Sequence, residues 1–420
     1  MNHFEYINGE LWCEELPVRE IAEAIRTPFY LYSHRTLSHH FRVFNESFAD
    51  VPHLTCFAVK ACSNIAILKI FIDQGGGVDI VSGGELFRSL QAGVDPGKVV
   101  YSGVGKTWDE IDYALHSGIL LFNIESSQEL AAIDHCAGEL GLQAGIALRV
   151  NPDVDPETHP YIATGMKEHK FGIDIERSID EYRRARSLAH VDIRGVSCHI
   201  GSQLTKLEPF LDALESLKLL IGQLRAEGID IRYLDLGGGL GITYHREEPP
   251  HPSEYAEAVL KAVKDLNCTL IFEPGRVIVG NASILVTRVL YTKQTVEKNF
   301  IIVDAGMNDL VRPSLYGAYH NIQPIVQNDR FTITVDVVGP ICESSDFLAK
   351  DRSLPGFEPG EWMAVMSAGA YGYSMASNYN SRPRPPEILV DGNRFYVIRE
   401  RENYQDLIRG EHVLGLLGKT

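Results

Sequence analysis

The feature that most constrains the fold is a regular alternation of short apolar runs with stretches of helical spacing, from about residue 27 to residue 275. Strands alternating with helices over this length favour an α/β fold with a closed (β/α)8 TIM-type barrel, and a doubly wound open sheet is the alternative. Eight runs predict strands: HLTCFAV at 53–59, GVDIVS at 77–82, VVYSG at 99–103, LLFNIE at 120–125, AGIALRV at 144–150, GVSCHI at 195–200, YLDLG at 233–237 and TLIFE at 269–273.

The pattern changes towards the C-terminus. After residue 280 come strand-like runs with turns between them and few helical stretches: SILVTRVLYTK, FIIVDAG, RFTITVDVVG, EWMAVMS and EILVDGNRFYVIRE. Such runs predict a second, mainly β domain. We place the barrel at residues 27–275. The β domain comprises residues 276–420 together with residues 1–26, because residues 1–26 precede the barrel pattern.

Charge and composition exclude several classes of partner. The formal net charge is −17, which argues against nucleic acid or an anionic membrane as the main partner. No run approaches the roughly 18 apolar residues of a membrane helix. The N-terminus, MNHFEYINGELWCEE, lacks the pattern of a signal peptide. The seven cysteines are scattered without a CxxC pair, so neither a disulfide framework nor a metal site is indicated, and a reducing cytoplasm fits.

Candidate catalytic residues are the polar groups at the carboxyl ends of the predicted strands, where barrel enzymes place their active sites. Lys60 follows the first run, in FAVKAC. An apolar setting can keep a lysine neutral, as a nucleophile or Schiff-base former, although a lysine that only snorkels to solvent fits the same pattern. Asp79 lies in the second run, beside a possible helix cap at Ser82.

Further candidates follow the sixth, seventh and eighth strands. His199 ends the sixth predicted strand, in HIGSQ, where Gly201 and Ser202 form a polar turn, and a structural histidine is the alternative. The turn LDLGGGLG presents backbone N–H groups that could cradle a phosphate, at a position where barrels often bind one. EPGR adds Glu273, Gly275 and Arg276 on the neighbouring strand.

One competing motif, GVGKT at 103–107, is similar to a nucleotide-binding loop. The complete motif requires glycine at position 100, which here is Val100. We therefore exclude a P-loop NTPase.

The predicted β domain has several polar loops. DAGMND, RPSLY, CESSD and AGAYGYSMAS place charged or polar groups beside Gly and Pro. Each loop alone usually just turns the chain, but several in one small domain suggest a shared site. Its candidate residues are Arg312, Tyr316, Cys342, Glu343 and Tyr371.

Taken together, these motifs resemble the alanine-racemase-like, fold-type III decarboxylases that use pyridoxal 5'-phosphate (PLP). The resemblance extends from TPFYLYS at 27–33 to SNYNSRPRP at 377–385, with FAVKAC, HIGSQ, GGGLG, EPGR, RPSLY and CESSD in the family's order. Cys62 departs from the family, which commonly has asparagine there. The resemblance implies a homodimer with active sites at the subunit interface, to which the partner subunit would contribute Cys342 and Glu343.

The resemblance also implies residue roles. Lys60 would form a Schiff base with PLP, His199 would stack on the ring, Glu273 would pair with the ring nitrogen, and Cys342 would supply a proton after CO2 leaves. The other implied cofactor-binding residues are Asp79, Ser202, Gly238, Gly239, Gly275, Arg276 and Tyr371. A carboxylate at the ring nitrogen favours the pyridinium, which suits decarboxylation, whereas related racemases place an arginine there.

Three hypotheses remain for the reaction. Arg276, Arg312 and Tyr316 could hold a distal carboxylate, and Glu343 a distal ammonium, with Tyr371 nearby. This combination favours a substrate whose far end is a second amino acid head. The second hypothesis is a decarboxylase of ornithine, arginine or carboxynorspermidine. The third is a PLP-binding protein without activity.

Overall fold

The computed structural model describes residues 2–154, 170–327 and 329–413. The chain divides into two compact units, one made of residues 1–35 and 282–420 and the other of residues 36–281. Among the described residues, no helix combines the length and the apolar character that a membrane span requires.

The N-terminal elements belong to the first of these units. They begin with a three-stranded antiparallel sheet in the order β1-β2-β3. The bounds are β1 Phe4–Ile7, β2 Glu10–Cys13, β3 Leu16–Pro17, α1 Val18–Ile25 and β4 Phe29–Ser33.

The second unit is a closed barrel of eight parallel strands, as the sequence predicted. Each strand pairs with the next, and β13 pairs with β5 to close the circle. The strands are apolar because both of their faces are covered. Their bounds are β5 His53–Ala58, β6 Gly77–Ile80, β7 Val99–Tyr101, β8 Leu121–Ile124, β9 Ala144–Asn151, β11 Val191–Ser197, β12 Tyr233–Asp235 and β13 Thr269–Phe272, with β10 Ile173–Asp174 beside β9.

Helices follow the barrel strands, and polar caps fix where several of them begin. The side chains of Ser82, Thr107 and Ser126 accept hydrogen bonds from the first turns of their helices. The bounds are α2 His34–Glu46, α3 Ile65–Ile72, α4 Gly83–Gln91, α5 Trp108–Ser117, α6 Ser127–Leu140, α7 Ile175–Ser187, α8 Glu208–Ala226, α9 Pro252–Val263 and α10 Arg276–Val279. Ser82 and Ser126 each lie two residues after a strand end, so these two connections at the carboxyl rim are short.

The C-terminal elements form the mainly β part of the first unit. The main sheet has the order β18-β17-β15-β14-β4-β20-β21, and β19 pairs with β14 and β16. The N-terminal strand β4 thus lies between two C-terminal strands. The bounds are β14 Ser283–Gln294, β15 Asn299–Val303, α11 Arg312–Tyr316, β16 Ile322–Pro324, β17 Thr332–Val338, β18 Phe347–Pro355, β19 Trp362–Val365, β20 Glu387–Asp391, β21 Arg394–Arg399 and α12 Tyr404–Leu407.

Candidate active site

Lys60 lies in a single 3-10 turn, Val59–Ala61, directly after β5. Its Nζ donates a hydrogen bond to Asp79 Oδ2 over 2.7 Å. The Asp79 carboxylate is fully buried on β6, whereas the Lys60 side chain is 31% exposed. The contact therefore fixes the lysine amine at the carboxyl rim of the barrel and leaves it accessible.

His199 follows β11, and its protonation is set by its neighbours. Its Nδ1 accepts a hydrogen bond from the Gly238 N–H over 3.1 Å, so the proton of the neutral ring is on Nε2. Burial lowers the pKa of His199 well below its usual value, and the positive charges of Arg149 and Lys60 lower it further. The ring is thus a neutral aromatic surface at neutral pH.

The glycine turn after β12 packs too closely against its neighbours to carry side chains. A Cβ at Gly238 would lie 2.2 Å from the Glu273 carbonyl oxygen, and one at Gly239 would lie 2.5 Å from that of Gly201. Gly239 also has φ of +111°, which other residues rarely adopt. Bare backbone therefore lines this part of the rim, as close approach of a phosphate requires.

Arg276 is held at the same rim by two hydroxyl groups. Its Nη1 donates to Tyr244 Oη over 2.8 Å and its Nη2 to Ser202 Oγ over 2.9 Å. The residue is only 6% exposed. This places a permanent positive charge beside the glycine turn.

Glu273 lies at the end of β13 in a polar cluster inside the barrel. Asn123 Nδ2 donates to Glu273 Oε1 over 3.2 Å and to Asp235 Oδ2 over 2.8 Å. Ser102 Oγ donates to the same Glu273 oxygen over 3.3 Å. Asn123 thus ties two buried carboxyl groups together.

The proximity of Glu273 and Asp235 favours the protonated form of these carboxyl groups. Burial raises the pKa of Glu273 well above its usual value, and the negative charges of Asp235 and Asp79 raise it further. Burial also raises the pKa of Asp235, to about 6. Two carboxylates this close disfavour a second negative charge, so the pair retains a proton at higher pH than either would alone.

A second ion pair supports the backbone of His199. Arg149 Nη1 donates to Glu125 Oε1 over 2.7 Å, and its Nη2 reaches the His199 carbonyl oxygen over 3.3 Å. Glu125 also accepts from the Gly103 and Gly172 N–H groups. This network ties three rim loops to the histidine.

In the β unit, Arg312 begins the short helix α11 and is buried, with 6% exposure. Its Nη1 donates to His320 Nε2 over 2.9 Å. Tyr316 ends the same helix and is half-buried. The segment RPSLY is therefore a short helix that holds a buried arginine, and not only a connection between strands.

Cys342 and Glu343 lie in an exposed loop before β18. The Cys342 N–H donates to Asn380 Oδ1 over 2.7 Å, and Glu343 Oε1 accepts from the Ser344 N–H. Of the seven cysteines, all within the described ranges, Cys342 is the exposed one. Tyr371 is half-buried with φ of +56°, a strained conformation for this residue type.

The structure brings the candidates of the barrel unit together. The barrel collects Lys60, Asp79, His199, Ser202, Gly238, Gly239, Glu273, Gly275 and Arg276 at its carboxyl rim or directly beneath it. Sequence reasoning missed Asn123, Asp235, Tyr244, Arg149 and, in the β unit, His320. The first two could have been found, because each is a polar residue inside an otherwise apolar strand.

The barrel matches a known family. Residues 34–280 match the pyridoxal binding domain of pyridoxal-dependent decarboxylases.

Curated relatives extend the likeness to the whole chain. A diaminopimelate decarboxylase of Vibrio cholerae is 52% identical over 99% of this chain and 100% of its own. Another, of Haemophilus influenzae, is 53% identical over 97% of this chain and 98% of its own.

Solved structures agree. A diaminopimelate decarboxylase of Helicobacter pylori complexed with L-lysine has 44% identity and a TM-score of 0.91, covering 93% of this chain and 98% of its own. The enzyme of the same name from M. jannaschi has 37% identity and a TM-score of 0.94, covering 99% of each chain.

Proposed function

Because the chain belongs to the family of pyridoxal-dependent decarboxylases, we propose that it removes CO2 from meso-2,6-diaminopimelate and forms L-lysine. The observation that carries this proposal is the amine of Lys60 at the barrel rim, held 2.7 Å from the buried Asp79. The relatives that share about half of its residues over their full length are named for this substrate.

PLP is the cofactor, and the barrel rim fits it. The amine of Lys60, whose side chain is 31% exposed, is suited to a covalent bond with an aldehyde, and the glycine turn with Gly275 and Arg276 is suited to a phosphate. The neutral ring of His199 offers an aromatic surface for stacking. When bound, PLP accepts the electrons that remain on Cα after CO2 leaves.

Glu273 is proposed to hold the ring nitrogen in its protonated form. A cation beside this carboxyl would lower its pKa again, since opposite charge favours the carboxylate. Asn123 and Ser102 fix one of its oxygens. A carboxyl that is buried and oriented in this way suits decarboxylation, where the positive ring nitrogen matters most.

Substrate selection is proposed to depend on the distal end of the molecule. The distal carboxylate would be bound by Arg276, Arg312 and Tyr316. Glu343 would bind the distal ammonium, with Tyr371 nearby. Ornithine carries no distal carboxylate and would leave the arginines without this partner. The second and third readings, another substrate or no activity, have no comparable support.

Arg312→Ala is expected to lower kcat/KM for diaminopimelate by more than about tenfold, because a hydrogen bond to a charged group contributes about 1.5–3 kcal/mol. Steady-state kinetics of the holoenzyme measures this. An unchanged kcat/KM would show that this guanidinium does not contact the substrate.

We further propose a homodimer that works in the cytoplasm, with Cys342 and Glu343 completing the active site of the partner subunit. None of the seven cysteines, all of which lie in described parts of the chain, forms a disulfide, as in a reducing compartment. An equal mixture of Lys60→Ala and Cys342→Ala subunits is then expected to recover up to about a quarter of wild-type activity, because half of the dimers would carry one intact site. Two affinity tags would isolate the mixed dimers, and inactive mixed dimers would refute shared sites.

The decisive experiment is incubation of the holoenzyme with meso-diaminopimelate, scored for both lysine and CO2. Ornithine, arginine and carboxynorspermidine are tested in parallel. Faster CO2 release from one of these three would replace the proposed substrate, and no release from any would favour a binding protein.

A further inference from the structure

His320 is a fully buried histidine, with 0% exposure, that the candidate set does not include. It lies between helix α11 and strand β16, and both of its ring nitrogens make hydrogen bonds. Nε2 contacts Arg312 Nη1 over 2.9 Å, and Nδ1 contacts the Met366 carbonyl oxygen over 2.9 Å.

These two partners define the tautomer. A carbonyl oxygen only accepts, so Nδ1 carries the proton; a guanidinium only donates, so Nε2 carries none. His320 is therefore a neutral imidazole that accepts from Arg312. A protonated ring would lose the acceptor and place a second cation against the guanidinium.

Two residues, Met366 and Arg352, hold the backbone around His320. The Met366 N–H donates to the Asn321 carbonyl oxygen over 2.8 Å and so extends the pairing of β16 with β19. Arg352 donates from Nη1 to the His320 carbonyl oxygen over 3.1 Å, and its guanidinium stacks on the Tyr319 ring at 3.5 Å. The imidazole therefore has a fixed position, from which it can orient the Arg312 guanidinium.

A neutral acceptor has a specific effect on its arginine. A carboxylate in this position would orient the guanidinium but also offset its charge, which weakens attraction for an incoming anion. The imidazole orients the guanidinium and leaves its full charge. Less rotamer freedom is then lost when an anion binds, which favours affinity.

We propose that His320 is a positioning residue for substrate selection, which aims the Arg312 guanidinium at the carboxylate on the far end of the substrate. The inference rests on the proposed function, in which Arg312 binds this carboxylate. It adds that the geometry of the arginine depends on a histidine that does not itself touch the substrate.

Two amide substitutions separate this role from a general structural one. The side chain of His320→Gln reaches the position of Nε2 and can still accept from Arg312. That of His320→Asn reaches only the position of Nδ1 and can still donate to Met366. We expect His320→Asn to raise KM for diaminopimelate at least about tenfold with kcat within about threefold, and His320→Gln to stay near wild type.

A pair of inhibitors gives a second measurement. L-Lysine keeps the distal amino acid head of the substrate, whereas 1,5-diaminopentane has the same chain without a carboxylate. His320→Asn should weaken inhibition by L-lysine about tenfold or more and leave inhibition by 1,5-diaminopentane unchanged. A loss of packing would weaken both. If His320→Asn does not fold, the same inhibitor ratio in His320→Gln must match the wild-type ratio.

The double variant His320→Asn/Arg312→Ala should have the KM of Arg312→Ala alone, since the histidine acts only through the arginine. Equal effects of Asn and Gln, additive effects in the double variant, or a loss confined to kcat would overturn the inference. Wild-type enzyme that does not decarboxylate diaminopimelate would instead refute the proposed function.

Discussion

Lys60→Ala is expected to lower kcat by more than about 10³-fold, which corresponds to about 4 kcal/mol of barrier. The variant lacks the amine that would bind PLP covalently. It also leaves the buried Asp79 without its cation, which should lower stability by less than the ~3–5 kcal/mol of a fully buried pair, since Lys60 is 31% exposed. Turnover and the absorbance of the lysine-bound cofactor measure the first effect, and thermal unfolding the second.

Lys60→Arg is the matched control for that experiment. A guanidinium keeps the positive charge beside Asp79 but stays protonated and cannot form a Schiff base. We expect this variant to be inactive and close to wild type in stability. Borohydride reduction followed by peptide mapping should label wild type at position 60, and a label at another lysine would remove Lys60 from the mechanism.

Cys342→Ala is expected to lower kcat by about 10²–10⁴-fold while PLP stays bound, because we propose that Cys342 supplies the proton to the carbon that loses CO2. The thiol belongs to the exposed loop before β18. In this loop the backbone N–H of Cys342 donates a hydrogen bond to the side chain of Asn380. Single-turnover measurements should show that product protonation slows. The absorbance of the bound cofactor should remain that of wild type.

Cys268→Ala controls for loss of a thiol as such. Cys268 is partly buried, and its Sγ contacts Arg225 over 3.2 Å. We expect this variant to keep wild-type kcat. Equal activity of the Cys342 and Cys268 variants would show that the proton comes from another group.

The barrel was predictable because each of its strands is a separate apolar run. Each of the eight predicted runs overlaps a strand, and the observed strands end within a few residues of the predicted ends, as at Ala58 and Phe272. Burial on both faces makes such strands mostly apolar, so each strand can be recognised from its own short segment of sequence. Strand β4 was not predicted as part of the β sheet, because its partners lie 251–257 and 357 residues further along the chain.

The site was only partly predictable for a related reason. Lys60, His199 and Glu273 follow apolar runs and are visible as polar strand ends. The contact between Asn123 and Glu273 joins residues 150 positions apart, and only closure of the barrel brings them together. His320 has no local signal either, since it depends on a carbonyl group of residue 366.

The pairing of β4 with β14 has a consequence for how this chain could have been assembled in evolution. Tyr32 and Ser283 are direct partners in this pairing, so their Cα atoms lie about 5 Å apart. The chain leaves this sheet after β4 and re-enters it at β14, next to the same strand. The two ends of the α/β portion therefore lie side by side in one sheet, which is the arrangement that insertion of one domain into another would leave.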